Sequence, residues 1–316
     1  MASIEQSTKP GKSIIFVHGR GQKPDALALQ QLWVQSLRAG IERDYAKSGE
    51  LALFDASTTN LAYYGDLTNT RRESASTVYD EDLDIADLHN TLAALNTLGS
   101  AKKYRRASYE ALPGRSSVRE FLADIGAPIL STLRLTEHAL AKRMPELAAY
   151  WNDDAAFAHD ARQRVREPLR EAFARGDDVL VLAHCLGSVI TYDALWELSH
   201  IEGQQQKLKG WITFGSPLAD EFVKRRLNGS DRAGAERYPT NIVNWHNIAA
   251  EDDFTCHDET VANDFAPMQE NRVISRIKDH HIYNLAVRYG KSNPHNFIGY
   301  LLHPRMTKLV AEWLAT

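Results

Sequence analysis

Cys185 has the setting in this chain that points most directly to chemistry. It lies in Ala183-His184-Cys185-Leu186-Gly187, between the apolar run Val179-Leu180-Val181-Leu182 and an amphipathic stretch from Leu186 to Ser199. That order reads as strand, tight turn, helix. It matches the G-x-S-x-G elbow pattern, with Ala for the first glycine and Cys for the serine. Small residues two before and two after the central one permit a sharp turn that lifts its side chain out of the sheet. The side chain then stands at the positive end of the following helix, where backbone N–H groups can stabilise an oxyanion. A thiol so placed can act as a nucleophile, its pKa lowered by the helix and by a nearby histidine. Two other readings stay open: a compact apolar residue closing a core strand, or a serine replaced by drift or by engineering.

The elements that would position this residue can be read from pattern. Ser13 to Val17 is a continuous apolar run ending in His18-Gly19-Arg20-Gly21, as for a buried parallel strand. A helix with Leu27, Leu32, Trp33 and Leu37 follows, and Leu51 to Tyr64 holds strand-like residues. From about Leu67 to Ala149 the pattern becomes helical and charged, with an acidic run (Asp80, Glu81, Asp82, Asp84, Asp87) and a basic one (Lys102, Lys103, Arg105, Arg106). These runs are expected to be solvated faces of an insertion. Asp153 to Arg175 is an amphipathic helix on Phe157, Ala161, Val165, Leu169 and Phe173, with Pro168 expected to kink or split it and Gly176 to close it. Strands are expected at Trp211–Phe214, from Ile242 to Trp245 onward, and last at Ile282–Val287. Pro304 opens a terminal helix carrying Met306, Leu309, Val310, Trp313 and Leu314 on one face. Alternating strands and helices predict an α/β fold, a mostly parallel central sheet with helices on both faces. Ligands of such sheets bind beyond the carboxyl ends of the strands.

Composition narrows the function classes. The chain has 316 residues, 43% of them apolar, and a net charge of −4, which gives no nucleic-acid footprint. Its two cysteines, Cys185 and Cys256, fit neither a zinc-ligand spacing nor a disulfide framework. Met1 to Lys12 is polar, without the apolar core of a signal peptide, and no run of 18 apolar residues occurs. The expectation is a cytoplasmic protein without integral membrane association. Gly11-Lys12-Ser13 lacks the upstream glycine of a phosphate-binding loop, and no H-E-x-x-H is present. Ser216, in Gly215-Ser216-Pro217, is read as a turn residue.

The order of Cys185, the acidic loop Glu251-Asp252-Asp253 and then histidines after the last strand is nucleophile, acid, histidine. With Phe16-Val17-His18-Gly19, the Cys185 pentapeptide and Thr213-Phe214-Gly215-Ser216-Pro217, it resembles the α/β-hydrolase superfamily, and most of all its bacterial esterase/lipase-like members. The resemblance covers residues 13–66 and 155–316 and implies an α/β-hydrolase fold over residues 1–316, with a helical insertion or lid at about 67–150. It also implies a histidine between the last strand and the terminal helix. His295 is the first choice and His303 the second; His280 and His281 are expected at the wrong end of the last strand. His184 should point away from the nucleophile, and His18 should shape its own loop. For the acid, Asp253 is the first choice, Asp252 the second and Asp258 a more distant option, and its role is to orient the histidine and stabilise the imidazolium. The oxyanion hole falls to the N–H groups of Leu186 and of Gly19 or Arg20; Arg20 is also a candidate ligand for a substrate carboxylate.

The resulting expectation is an acyl hydrolase for esters or thioesters, or an acyltransferase. It uses Cys185, His295 and Asp253, needs no cofactor and no metal, and takes a small-molecule acyl substrate with an apolar part. The alternatives are a non-catalytic binding protein that has lost its serine, and a serine esterase carrying an engineered cysteine.

Overall fold

The structure is a computed structural model that describes residues 10–69, 79–97, 145–152, 155–251, 253, 260–289 and 291–316. Asp252, Cys256, Asp258 and the basic run at Lys102–Arg106 lie outside the described residues.

Six strands form one parallel sheet: β1 (Lys12–Val17), β2 (Thr58–Ala62), β3 (Asp178–His184), β4 (Gly210–Phe214), β5 (Asn244–Ala250) and β6 (Arg276–Ile282), in the order β2-β1-β3-β4-β5-β6. The chain first winds outward from β1 to β2, then crosses back to β3 and winds the other way. The reversal lies between β1 and β3, whose register pairs Val17 with Ala183. A crevice opens at the carboxyl ends of the strands at such a reversal, because the following connections diverge to opposite faces.

Both faces of the sheet are covered. Ile14 and Phe16 of β1 pack with Leu180 and Leu182 of β3 against α1 (Ala26–Tyr45) and the terminal helix α9 (Pro304–Leu314). The alternate residues Ile15, Val17, Val181 and Ala183 face α6 (Ala155–Ala174) and α7 (Leu186–His200). Two buried faces explain why these strands read as unbroken apolar runs.

Several sequence expectations need correction. Leu51 to Asp55 is not strand: Glu50–Asp55 forms the short helix α2, whose good helix formers bury only Phe54. Helix α6 runs through Pro168 as one element, because the carbonyl that the proline cannot bond belongs to Arg164, on the water-facing side. The last strand of the parallel sheet is β6, not Ile282–Val287. As an edge strand with exposed Arg276 and Lys278, β6 carries too few apolar residues to announce itself. The apolar stretch after it is a loop, with Leu285 and Ala286 buried. It leads to the hairpin β7 (Val287–Arg288) and β8 (Lys291–Ser292), then to α8 (Phe297–Leu302).

Three helices of the 67–150 stretch, or bordering it, are described: α3 (Gly65–Asn69), α4 (Glu81–Thr97) and α5 (Pro145–Asn152). The acidic run on α4 is only partly a solvated face. Asp80 and Asp82 are exposed, but Asp84 and Asp87 are buried and paired with Arg288. Leu88 and Leu95 of the same helix pack on Ile298 and Leu302 of α8.

Candidate active site

Cys185 occupies the turn between β3 and α7 with φ 52° and ψ −125°. A non-glycine residue held in that half of conformational space costs about 1–3 kcal/mol, so the surroundings must enforce it. The Cys185 N–H donates to the carbonyl of Phe214, and its own carbonyl accepts from Ser188 Oγ at 2.5 Å. Ser188 Oγ in turn bonds Ser216 Oγ at 2.6 Å, so Ser216 braces the turn from the β4 side. A Cβ on Gly187 would lie 2.4 Å from the His18 carbonyl oxygen, and one on Gly19 would lie 2.7 Å from Cys185 Cβ. The two glycines let the loop after β1 press directly against the turn after β3.

Asp253 follows β5 in a tight turn, its N–H bonded to the carbonyl of Ala250. Its carboxylate accepts His295 Nδ1–H at 2.8 Å through Oδ2 and 3.0 Å through Oδ1. Oδ2 also accepts the Tyr300 hydroxyl at 2.8 Å. His295 is held by its backbone. Asn284 Nδ2 donates to the carbonyls of Pro294 (2.8 Å) and Asn296 (2.9 Å), the neighbours on either side. The carbonyl of His295 itself accepts from His184 Nε2 at 3.1 Å. His184 therefore backs His295 and carries its proton on Nε2, burial holding it neutral well below the usual pKa. Asn296 caps α8 through its Oδ1, and its Nδ2 donates to Asp87 Oδ2 at 2.6 Å. Asp87 and Arg288 thus tie helix α4 to the loop that carries His295.

Electrostatics at the centre favour an ion pair. Burial opposes charge on both groups. For His295, the Asp253 carboxylate and the sulfur of Cys185 outweigh it and raise the imidazolium pKa to about 10. For Cys185, burial pushes up, but the His295 charge and hydrogen bond, the Arg20 charge and the Arg20 backbone N–H together bring the thiol down to about 7. His295 Nε2 is buried, and the Cys185 sulfur acts on it through its charge and a loosely aligned hydrogen bond. Such contacts are often loose before a substrate arrives.

The remaining candidates fall elsewhere. His303 caps α9, its Nδ1 accepting from the Arg305 N–H at 3.0 Å, and burial lowers its pKa to about 3. His280 and His281 sit near the carboxyl end of β6, not before the last strand, but His280 turns to His246, Nε2 to Nδ1 at 3.0 Å. His18 stays within its own loop: Nδ1 bonds its neighbour Gly19 O at 2.9 Å, Nε2 accepts the Tyr64 N–H at 3.1 Å, and the Tyr64 hydroxyl donates to the His18 carbonyl. Leu186 is the first residue of α7, so its N–H has no partner within the helix. Among the described residues no three His, Cys, Asp or Glu side chains converge as metal ligands, and no helix is long and apolar enough to cross a membrane.

Comparison with models of known protein families and with curated proteins finds no match. The functional reading therefore rests on this geometry. Tyr300 and Asn284 are supports that sequence reasoning missed, and for His184 it gave the direction away from Cys185 but not the bond to the His295 carbonyl. A tyrosine inside a helix carries no local signal of its partner, whereas the Pro294-His295-Asn296 stretch does carry a helix-cap signal in Asn296.

Proposed function

We propose that the protein is a cysteine-dependent acyl hydrolase of α/β-hydrolase type, esterase/lipase-like, acting on small-molecule esters or thioesters. The observation that carries this reading is the His295–Asp253 pair brought against Cys185, with the thiol lowered to about 7 and the imidazole raised to about 10. The positive φ of Cys185 at the β1/β3 reversal supports the elbow-type fold.

In the proposed reaction the Cys185 thiolate attacks the carbonyl carbon, and the C=O electron pair moves onto oxygen. The N–H groups of Leu186 and Arg20 receive that oxyanion. On collapse the C–O or C–S bond to the leaving group breaks, and His295 Nε2–H protonates the departing atom. An acyl thioester on Cys185 remains. His295, now neutral, takes a proton from water as it attacks, and a second collapse releases the acid and the thiolate. Asp253 stays ionised throughout and holds the Nδ1–H tautomer. An amine or thiol in place of water would make the same enzyme an acyltransferase. The reading requires no cofactor and suits a cytoplasmic setting, where the thiol stays reduced.

The test is the initial rate on p-nitrophenyl esters of several chain lengths for the parent, Cys185→Ala and Cys185→Ser. Turnover in the parent that disappears in Cys185→Ala supports a cysteine hydrolase. Turnover only in Cys185→Ser would identify a silenced serine esterase. Undiminished turnover in Cys185→Ala would remove Cys185 from the reaction.

A further inference from the structure

Arg20 is a partly buried arginine whose charge acts on Cys185. Arg162, Arg166 and Arg288 each meet carboxylates: Glu197 for the first, Glu197 and Glu202 for the second, Asp84 and Asp87 for the third. Arg20, like Arg305, meets no carboxylate among the described residues, and its Nε, like those of Arg162 and Arg166, is buried there without an aligned acceptor. The carboxylate that reaches this loop, Glu146 of α5, accepts the Gly21 N–H at 3.2 Å. Lys23 adds a second positive charge, its Nζ donating to the Arg20 carbonyl at 2.8 Å. The location is fixed by packing: Gly19 lies against Cys185 Cβ, so the next residue starts at the nucleophile. A buried guanidinium donor without an acceptor is costly, about 1–3 kcal/mol or more, and a ligand that supplies the acceptor recovers it. Guanidinium geometry matches carboxylate and phosphate oxygens in particular.

We infer that the acyl substrates of this site carry a second, anionic group, a carboxylate or a phosphate, which the Arg20 side chain binds beside the reacting carbonyl. This rests on the cysteine-acyl reading and narrows its substrates to charged acyl compounds. The guanidinium then serves twice. It favours the thiolate before substrate arrives, and it selects the substrate by charge.

The charge selection can be read without turnover. Iodoacetate and iodoacetamide form the same S–CH2 bond and release the same iodide, but only the first is an anion. Their rate ratio at Cys185, followed by mass spectrometry of its peptide, cancels the thiolate population. With glutathione as reference, the ratio of iodoacetate to iodoacetamide should be about tenfold higher at Cys185, the effect of one charged hydrogen bond. It should fall to the reference value in Arg20→Gln and be partly kept in Arg20→Lys. Protection by succinate points to a carboxylate substrate, and protection by inorganic phosphate to a phosphorylated one. A parent ratio equal to that of glutathione, or one unchanged in Arg20→Gln, overturns the inference. If neither reagent modifies Cys185, the nucleophile reading fails separately and the melting temperature decides. A rise with succinate or phosphate in the parent but not in Arg20→Gln supports the anion site, and no rise overturns it.

Discussion

The Tyr300 hydroxyl donates to Asp253 Oδ2 at 2.8 Å, the same oxygen that accepts His295 Nδ1–H at 2.8 Å. That hydroxyl also accepts the Ala250 N–H at 3.0 Å, so a single oxygen joins the end of β5 to the acid and, through it, to the histidine. Tyr300 is a positioning residue: it fixes which way the carboxylate faces. Tyr300→Phe should lower kcat on a p-nitrophenyl ester about tenfold with KM little changed, the loss of one hydrogen bond to a charged group. Steady-state kinetics check this. A lower melting temperature with kcat untouched would reduce Tyr300 to a purely structural support.

Asp253→Asn removes the charge that raises His295. Less imidazolium then faces the sulfur near neutrality, and the thiol loses its main compensation for burial. Iodoacetamide alkylation of Cys185, half-maximal near about pH 7 in the parent, should shift upward toward the ordinary thiol value of about 8.5 or beyond. Ester turnover should fall about a hundredfold or more. An unshifted alkylation profile would mean that Asp253 does not set the ion pair.

Asp193 lies on α7 behind the elbow, buried, accepting the Tyr150 hydroxyl at 2.8 Å and the Asn228 N–H at 2.7 Å. Burial raises its carboxyl to about 7 against these hydrogen bonds. A folded pKa above the unfolded value means that this group's favourable contribution is complete below about pH 4. It is lost as pH rises through about 7. Asp193→Asn can keep both partners, its oxygen accepting from Asn228 and its amide donating to Tyr150. Melting temperatures from pH 4 to 8 should therefore fall less with pH in Asp193→Asn than in the parent. Parallel curves would show that the carboxyl ionises normally.

Asp87 accepts from Arg288 Nε at 2.8 Å and from Asn296 Nδ2 at 2.6 Å. Asp87→Ala should cost about 1–3 kcal/mol by urea unfolding, less than a fully buried pair because Arg288 keeps some contact with water. Since Asn296 adjoins His295, ester turnover should also drop. A stability change below about 0.5 kcal/mol would show that α4 is not held to the loop by this contact.

What could be read from the sequence depended on whether the constraint was local. The elbow was legible because Gly187 must admit the His18 carbonyl and Ala183 must fit the sheet, demands met within five residues. His295 and Asp253 came instead from the resemblance, which calls for a histidine before the terminal helix and an acid after a preceding strand, and the acidic loop by itself left Asp252 and Asp258 open beside Asp253. Strand β6 was not legible, since its polar edge pattern resembles a loop and the buried loop after it resembles a strand. Nor were the buried roles of Asp84 and Asp87. Charges adjacent in sequence look solvated, and Arg288 is 204 and 201 residues away from them.

The pairing of Cys185 with His295 also has a consequence in time. The elbow, β1 and Asp253 all leave the ribosome before the histidine that charges the sulfur, 110 residues after the cysteine. Until that segment docks beneath His184 and Asn284, the thiol lacks the largest influence that opposes its burial, and the Arg20 charge and backbone N–H are left to lower it. A growing or truncated chain is therefore expected to hold Cys185 at a higher pKa than the completed fold does.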